Sequence, residues 1–229
     1  MYVKDHMTKN PVTITPDTSV SKALEIMQKG KFHRLPVSDA SGKLLGLVTE
    51  GLVTESSGKN QTSLSIYELN YLLSRTKASD IMIPAKDVVT ISPDVFLEEA
   101  ADKMGDINVL PVIDDKNKIV GIITEKDVFR AFIELMGYKT QGTRFVIACE
   151  NKPGVLNKAS KLFAENDANV ENIAVYRTEE RGTEIVIKAT GEISVEDMTK
   201  VLQENDMKVT NIVQTKSDGT VQTEWPGLL

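Results

Sequence analysis

The sequence predicts a mixed α/β (α+β) protein made of a duplicated unit followed by a ferredoxin-like module. Two observations carry this. The first half of the chain repeats itself, each copy reading β-α-β-β-α, and the C-terminal third reads β-α-β-β-α-β, the ferredoxin-like order.

In the repeat, Asp5 and Met7 ahead of Pro11–Asp17 align with Asp80 and Met82 ahead of Val88–Asp94. Thr13, Pro16, Ala23 and Met27 match Thr90, Pro93, Ala100 and Met104 at one constant offset. After a short deletion Leu35-Pro36-Val37, Gly46 and Thr49 match Leu110-Pro111-Val112, Gly121 and Thr124. This unit is longer than the roughly 20 to 50 residues of a solenoid repeat and suits two small domains packed on each other.

Each copy is read element by element. A β-branched strand, Val12–Thr15, ends at a Pro-Asp turn, and apolar residues at helical spacing follow through Val20, Ala23, Leu24 and Met27. Strands Arg34–Val37 and Leu44–Thr49 flank the polar turn Asp39-Ala40-Ser41-Gly42. In the second copy a closing helix begins near Glu125 and carries Val128, Phe129, Phe132 and Ile133. In the first copy the polar stretch Glu55–Ser63, read as a surface loop, delays that helix, which resumes as Leu64–Leu73.

The C-terminal module opens with a strand, Thr143–Cys149, then the turn Glu150–Gly154, a helix Val155–Asn166 and a strand from Asn169. A hairpin around Glu179–Gly182 leads to a strand Thr183–Ala189, a helix Val195–Asn205 and a strand Lys208–Val213. Leu156, Ala159, Leu162 and Phe163 on one helix, and Val201 and Leu202 on the other, mark the faces that bury. The expected domains are 1–74, 75–138 and 143–215, with 216–229 a loosely ordered tail whose Trp225 is free to dock on a neighbour.

Composition narrows the chemistry. A chain of 229 residues, 41% hydrophobic and 26% charged, has room for one large domain or two modest ones. No apolar run approaches the roughly 18 residues of a membrane span, and the first residues lack a basic start with an apolar run, so neither a membrane partner nor an export signal is expected. The single cysteine, Cys149, rules out an internal disulfide, which together with the missing export signal points to the cytoplasm. A net charge of −6 without a basic block disfavours nucleic acid. With two histidines and one cysteine, neither a zinc site nor a Cys/His pair can be assembled, so no catalytic and no metal-binding residue is assigned and no enzyme is expected. Composition alone leaves an acid/base pair of carboxylates open.

The run Gly121-Ile122-Ile123-Thr124-Glu125-Lys126-Asp127-Val128, with the internal Leu-Pro-Val strand, resembles the CBS domain from about Val3 to Gly137. The resemblance implies a pair of domains with two clefts between the copies, an adenine nucleotide (AMP, ADP or ATP) as regulatory ligand, and no cofactor. The residues supply a reason. A strand ending at Thr124 brings a hydroxyl and a helix N-terminus to one spot that favours phosphate, and Asp127 can accept hydrogen bonds from both vicinal ribose hydroxyls. The alternative role for Thr124 and Asp127 is to cap the closing helix. By resemblance the opposite copy contributes Ile14 against the base and backbone near Thr13 at its edge. The intact site then combines Thr13, Ile14, Asn108, Thr124 and Asp127, with Lys126 and Arg130 as phosphate neighbours.

Copy one departs from this pattern. It reads Gly46-Leu47-Val48-Thr49-Glu50-Gly51-Leu52, placing Leu52 where copy two has Asp127. Burying a ribose hydroxyl unpaired costs about 1–3 kcal/mol, so one cleft is expected to be strongly preferred. His33, Arg34, Thr49 and Thr90 form the candidate second nucleotide site, with an exposed strand-edge role as the alternative for His33.

Asn151-Lys152-Pro153-Gly154-Val155-Leu156 and Asp167-Ala168-Asn169-Val170 resemble the ACT domain, over about Thr143–Ile212. The resemblance implies a regulatory module that pairs through its sheets, hence a homodimer, with a small amino acid at the interface. Pro153 has no N–H to lose at a helix start, Gly154 permits close backbone approach, and the free N–H groups of the first turn suit a carboxylate. Asn151, Gly154, Val155, Leu156 and Asn169 are the candidate amino-acid residues; Asn151 stands where the family commonly has Asp, and a helix cap with a dimer surface is the alternative. The order CBS, CBS, ACT, with the Leu64–Leu73 helix, resembles the acetoin utilisation B family. The implied function is a non-catalytic sensor with no downstream target assigned. An enzyme of acetoin or other small-molecule breakdown and a structural dimer with vestigial sites are the alternatives.

Overall fold

Each repeat copy folds around a two-stranded hairpin and takes its third strand from the other copy. The computed structural model describes residues 1–56, 66–179, 182–192 and 194–224, which divide into the units Met1–Phe129 and Arg130–Leu229. Copy one comprises α1 (Val3–His6), β1 (Thr8–Lys9), α2 (Val20–Gly30), β2 (Arg34–Ser38), β3 (Leu44–Thr49), α3 (Glu50–Ser56) and α4 (Ile66–Arg75). Copy two comprises α5 (Ala78–Ile81), β4 (Ile83–Pro84), α6 (Leu97–Met104), β5 (Val109–Ile113), β6 (Ile119–Thr124) and α7 (Glu125–Leu135), which runs on into the second unit.

Local chemistry sets these elements. Ser19 caps α2 by accepting the Lys22 N–H, Val20, Ala23 and Met27 bury one face at helical spacing, and Lys31 in the left-handed region ends the helix. Asp39 and Asp114 tighten the two hairpin turns by accepting the N–H groups of Lys43 and Lys118. The hairpin tips then bond to each other, Leu44 N–H to the Asn117 carbonyl and Ile119 N–H to the Gly42 carbonyl.

The sheets are ordered β2-β3-β4 and β1-β6-β5. Thr8 and Lys9 lie opposite Ile122 and Gly121, while Ile83 and Pro84 lie opposite Leu47 and Gly46, so the exchange is reciprocal. The repeat-matched Met and Gly residues now have a reason: Met7 packs over Gly121 and Met82 over Gly46. A Cβ on Gly46 would stand 2.5 Å from the Ile83 carbonyl oxygen, whereas one on Gly121 would meet mainly the Met7 side chain. Gly46→Ala is therefore expected to cost about 1–3 kcal/mol of stability by overpacking, and Gly121→Ala less, because a thioether can swing aside. Chemical denaturation of both variants checks this, and equal losses would contradict it.

Three expectations need correction in this unit. Val12–Thr15 is not a strand. Pro11 and Pro16 cannot donate to a ladder, and only Ile14 bridges, giving its N–H to the Pro36 carbonyl and accepting the Ser38 N–H. Ile91 does the same in copy two, with Pro111 and Ile113. Nor is the closing helix of copy one delayed: α3 starts directly after β3 because Thr49 Oγ1 accepts the Leu52 N–H at 3.2 Å, and Glu55 and Ser56 lie within it. The following helix begins its described part at Ile66; residues 57–65, with the remainder of the expected loop and Leu64, lie outside the described residues.

The second unit contains β7 (Gly142–Cys149), α8 (Val155–Glu165), β8 (Asn169–Thr178), β9 (Gly182–Thr190), α9 (Val195–Glu204), β10 (Lys208–Thr215) and β11 (Val221–Glu224). Its sheet is ordered β11-β10-β7-β9-β8 and is antiparallel throughout, the expected ferredoxin-like arrangement with one added strand. Phe145, Ile147, Ile185 and Ile187 face Ala159, Phe163, Met198 and Leu202 in one core, with Phe145 and Phe163 edge to face at 5.4 Å. The tail is more ordered than composition implies: a turn in which Asp218 accepts the Thr220 N–H folds Val221–Glu224 back onto β10. Trp225 and Glu180–Arg181 lie outside the described residues. Among the described residues no helix is long and apolar enough to cross a membrane.

Candidate functional site

The start of α7 is built from a strand end and a cap. Thr124 closes β6 opposite Val109. Its Oγ1 accepts the Asp127 N–H at 3.3 Å, while Asp127 Oδ2 accepts the Thr124 N–H at 2.9 Å and its hydroxyl at 2.6 Å. This is a reciprocal capping box. It fixes the carboxylate one turn inside an 11-residue helix, at the end where the helix dipole is positive. Asn108, left-handed at φ 58°, gives its carbonyl to the Glu125 N–H at 3.1 Å. Thr124 and Asp127 are half-buried, and Lys126 and Arg130 are exposed on the same helix.

The other copy reaches the same neighbourhood. Thr8 and Lys9 run beside Ile122 and Gly121, and the chain then crosses at Asn10–Thr13 to join the copy-one sheet at Ile14. Thr13 is exposed and its Oγ1 accepts from the Ser38 hydroxyl at 3.3 Å. Ile14 is 4% exposed and packed in the core of copy one, so its side chain is already occupied and does not present the face expected to sandwich a base. Val12, 47% exposed on the crossing segment, presents apolar surface instead, as Val89 does in copy two. In a regular strand Val12 and Ile14 would share a face; because Ile14 makes only a single bridge, one is buried and the other exposed.

At the start of α3 the cap is half complete. Thr49 accepts the Leu52 N–H, and Leu52 offers no acceptor in return. His33 is exposed, with Nδ1 2.7 Å from Glu50 Oε2, and its carbonyl accepts the Glu50 N–H. Arg34 lies opposite Thr49, and partial burial pushes its pKa below the usual guanidinium value. Thr90 is half-buried on the second crossing segment.

The residues expected to bind an amino acid are not brought together within one chain. Gly154, at φ 87°, begins α8 without a side-chain cap, and Asn151 and Leu156 are exposed beside it, with Val155 half-buried. Cys149, just before that loop, pairs with Thr183, whereas Asn169 pairs with Thr190 at the far end of β9. At about 3.3 Å per strand residue the two ends stand roughly 23 Å apart, because α8 carries the chain back along the sheet before β8 begins. A cavity of about 550 Å³ opens at the Asn169 end, lined by Gln141, Thr143, Thr190, Gln214, Thr215 and Lys216 among others. Among the described residues no cluster of three or more His, Cys, Asp or Glu is placed to hold a metal ion.

The CBS domain family model matches residues 3–55 and 78–134, and the ACT domain family model residues 143–206. A CBS domain-containing protein of Dictyostelium discoideum is 34% identical over 144 residues, covering 59% of this chain and 94% of that protein. The chain belongs to the CBS domain-containing proteins. It is a CBS pair followed by an ACT domain, and both are regulatory modules. The CBS pair is also similar to CBSX2 from Arabidopsis thaliana, a structure 30% identical with a TM-score of 0.49, covering 58% of this chain and 94% of that one; CBSX2 has been solved in complex with AMP. A candidate acetoin utilization protein (AcuB) from Vibrio cholerae is 27% identical with a TM-score of 0.49, covering 59% of this chain and 92% of that one. The chain spans 35% or less of the first curated relatives it matches, among them an inosine-5'-monophosphate dehydrogenase of Methanocaldococcus jannaschii, 28% identical over 192 residues and 77% of this chain.

Proposed function

We propose that the CBS pair binds an adenine nucleotide at the start of α7 and that the chain acts as a non-catalytic regulatory sensor. The observation that carries this is the capping box: Thr124 holds the Asp127 carboxylate in place before any ligand arrives. Capping and binding are therefore compatible roles, and a preorganised acceptor avoids part of the ordering cost of association. Asp127 accepts from the ribose diol, Lys126 and Arg130 beside the positive end of the α7 dipole favour phosphate, and the crossing segment with Val12 and Thr13 supplies the side facing the base. The lesser site at Thr49, with His33, Arg34 and Thr90, lacks the diol acceptor. Pairing through ACT sheets into a homodimer, an amino acid bound between paired ACT domains, and a role in acetoin metabolism in the cytoplasm extend the reading. The acetoin link rests on the order CBS, CBS, ACT together with the helix that follows the first copy.

Calorimetry on the full chain with AMP, ADP and ATP at concentrations up to millimolar tests the proposal. AMP, the compound in complex with CBSX2, is the first to try. One dominant site per chain is expected, and no heat with any of the three would reject the reading. For the ACT domain, a rise in melting temperature with a small amino acid is the expected sign of selective binding to the folded state.

A further inference from the structure

The far end of α7 is held with unusual completeness. Gly137, left-handed at φ 59°, terminates the helix in a Schellman pattern: its N–H reaches the Glu134 carbonyl at 2.9 Å, and the Tyr138 N–H reaches that of Ile133 at 3.2 Å. The next carbonyls are taken by side chains from the ACT sheet. Asn172 Nδ2 donates to Leu135, Arg144 Nη2 to Met136 at 3.1 Å, and Lys188 Nζ to both Gly137 and Thr140. Arg144 and Asn172 are the cross-strand partners of Lys188 on either side, so the three form one row across β7, β9 and β8. Arg144 also sits over the Tyr138 ring at 5.8 Å.

Lys188 is only 2% exposed, and burying an ammonium beside a guanidinium is unfavourable unless acceptors compensate. Burial foremost, then Arg144, pushes the Lys188 pKa down, while Glu171 opposes them. The compensation comes from the Gly137 and Thr140 carbonyls just past the helix, near the end where the dipole favours cations. A passive linker would leave those carbonyls to water and need no buried lysine.

We propose that Lys188, Arg144 and Asn172 form a latch that fixes the end of α7 to the ACT sheet, making α7 the element through which events at its Thr124–Asp127 start are felt in the second unit. At 1.5 Å per residue the two ends are about 16 Å apart along one continuous helix. The signalling half of this inference rests on the nucleotide reading; the latch itself does not.

Hydrogen exchange on the full chain tests both halves. Without ligand, Lys188→Met is expected to speed amide exchange across residues 136–141 at least tenfold; unchanged exchange there would overturn the latch. With AMP, or whichever nucleotide calorimetry shows to bind, the parent chain should gain protection at β9. Lys188→Met should bind the same nucleotide within threefold and lose that gain. Persistence of the gain in the variant would overturn the role of α7. If no nucleotide binds the parent, Asp127→Ala replaces it as the perturbation at the helix start. It should alter exchange at β9 in the parent background and leave it unaltered in the Lys188→Met background. Should Lys188→Met fail to fold, Arg144→Leu, which removes only the Met136 bond and the Tyr138 contact, takes its place with the same expected outcomes.

Discussion

Asp127→Ala is expected to weaken nucleotide binding about a hundredfold. Two hydrogen bonds from ribose hydroxyls to a charged acceptor are lost, and even at the low end of about 1.5 kcal/mol each they amount to about 3 kcal/mol. The same substitution removes the acceptor for the Thr124 N–H and hydroxyl, so the unliganded protein should also lose about 1 kcal/mol from its helix cap. The two effects separate experimentally. Calorimetry reads the first, and denaturation without ligand reads the second. Asp127→Asn keeps an oxygen for the cap but can no longer accept from both hydroxyls, so it should restore most of the stability and little of the affinity. Parent-like affinity in Asp127→Ala would refute the ribose role.

Leu52→Asp is expected to create a second site, raising calorimetric stoichiometry from one nucleotide per chain to two. Thr49 already accepts the position-52 N–H; an aspartate completes the box by accepting the Thr49 N–H, and its charge is favourable in a first helical turn. Arg34 opposite Thr49 supplies a cation for phosphate. Leu52 is half-buried, so lost apolar contact costs about 1 kcal/mol, which the new cap largely offsets. A folded variant whose stoichiometry stays at one would show that the degenerate cleft is closed for reasons other than Leu52.

The folded chain explains what was legible in its sequence. The hairpins, α2, the start of α7 and the ferredoxin-like order are set by local patterning, and residues such as Val20, Ala23 and Thr124 announce them. The exchanged strands are two residues long, too short for any periodicity. Their sequence trace was the matched pairs Met7 with Met82 and Gly46 with Gly121, whose meaning depends on which copy packs on which. Ile14 makes a single bridge between prolines, so the alternation of a strand does not hold around it. Asn151 and Asn169 look adjacent to one helix, yet lie at opposite ends of the sheet because that helix reverses the chain. Lys188 is a charged residue buried within a strand, and only its placement opposite Arg144 and Asn172 gives it a use.

The reciprocal exchange of lead-in strands also bears on synthesis. Thr8 and Lys9 are made roughly a hundred residues before their partners Ile122 and Gly121, and closing so distant a contact is slow. During translation copy one can assemble its own hairpin, yet its leading segment must wait, unpaired, until copy two is complete. The pair is thus obliged to finish as one unit, and a ribosome stalled between the copies would hold a half-sheet with an open edge.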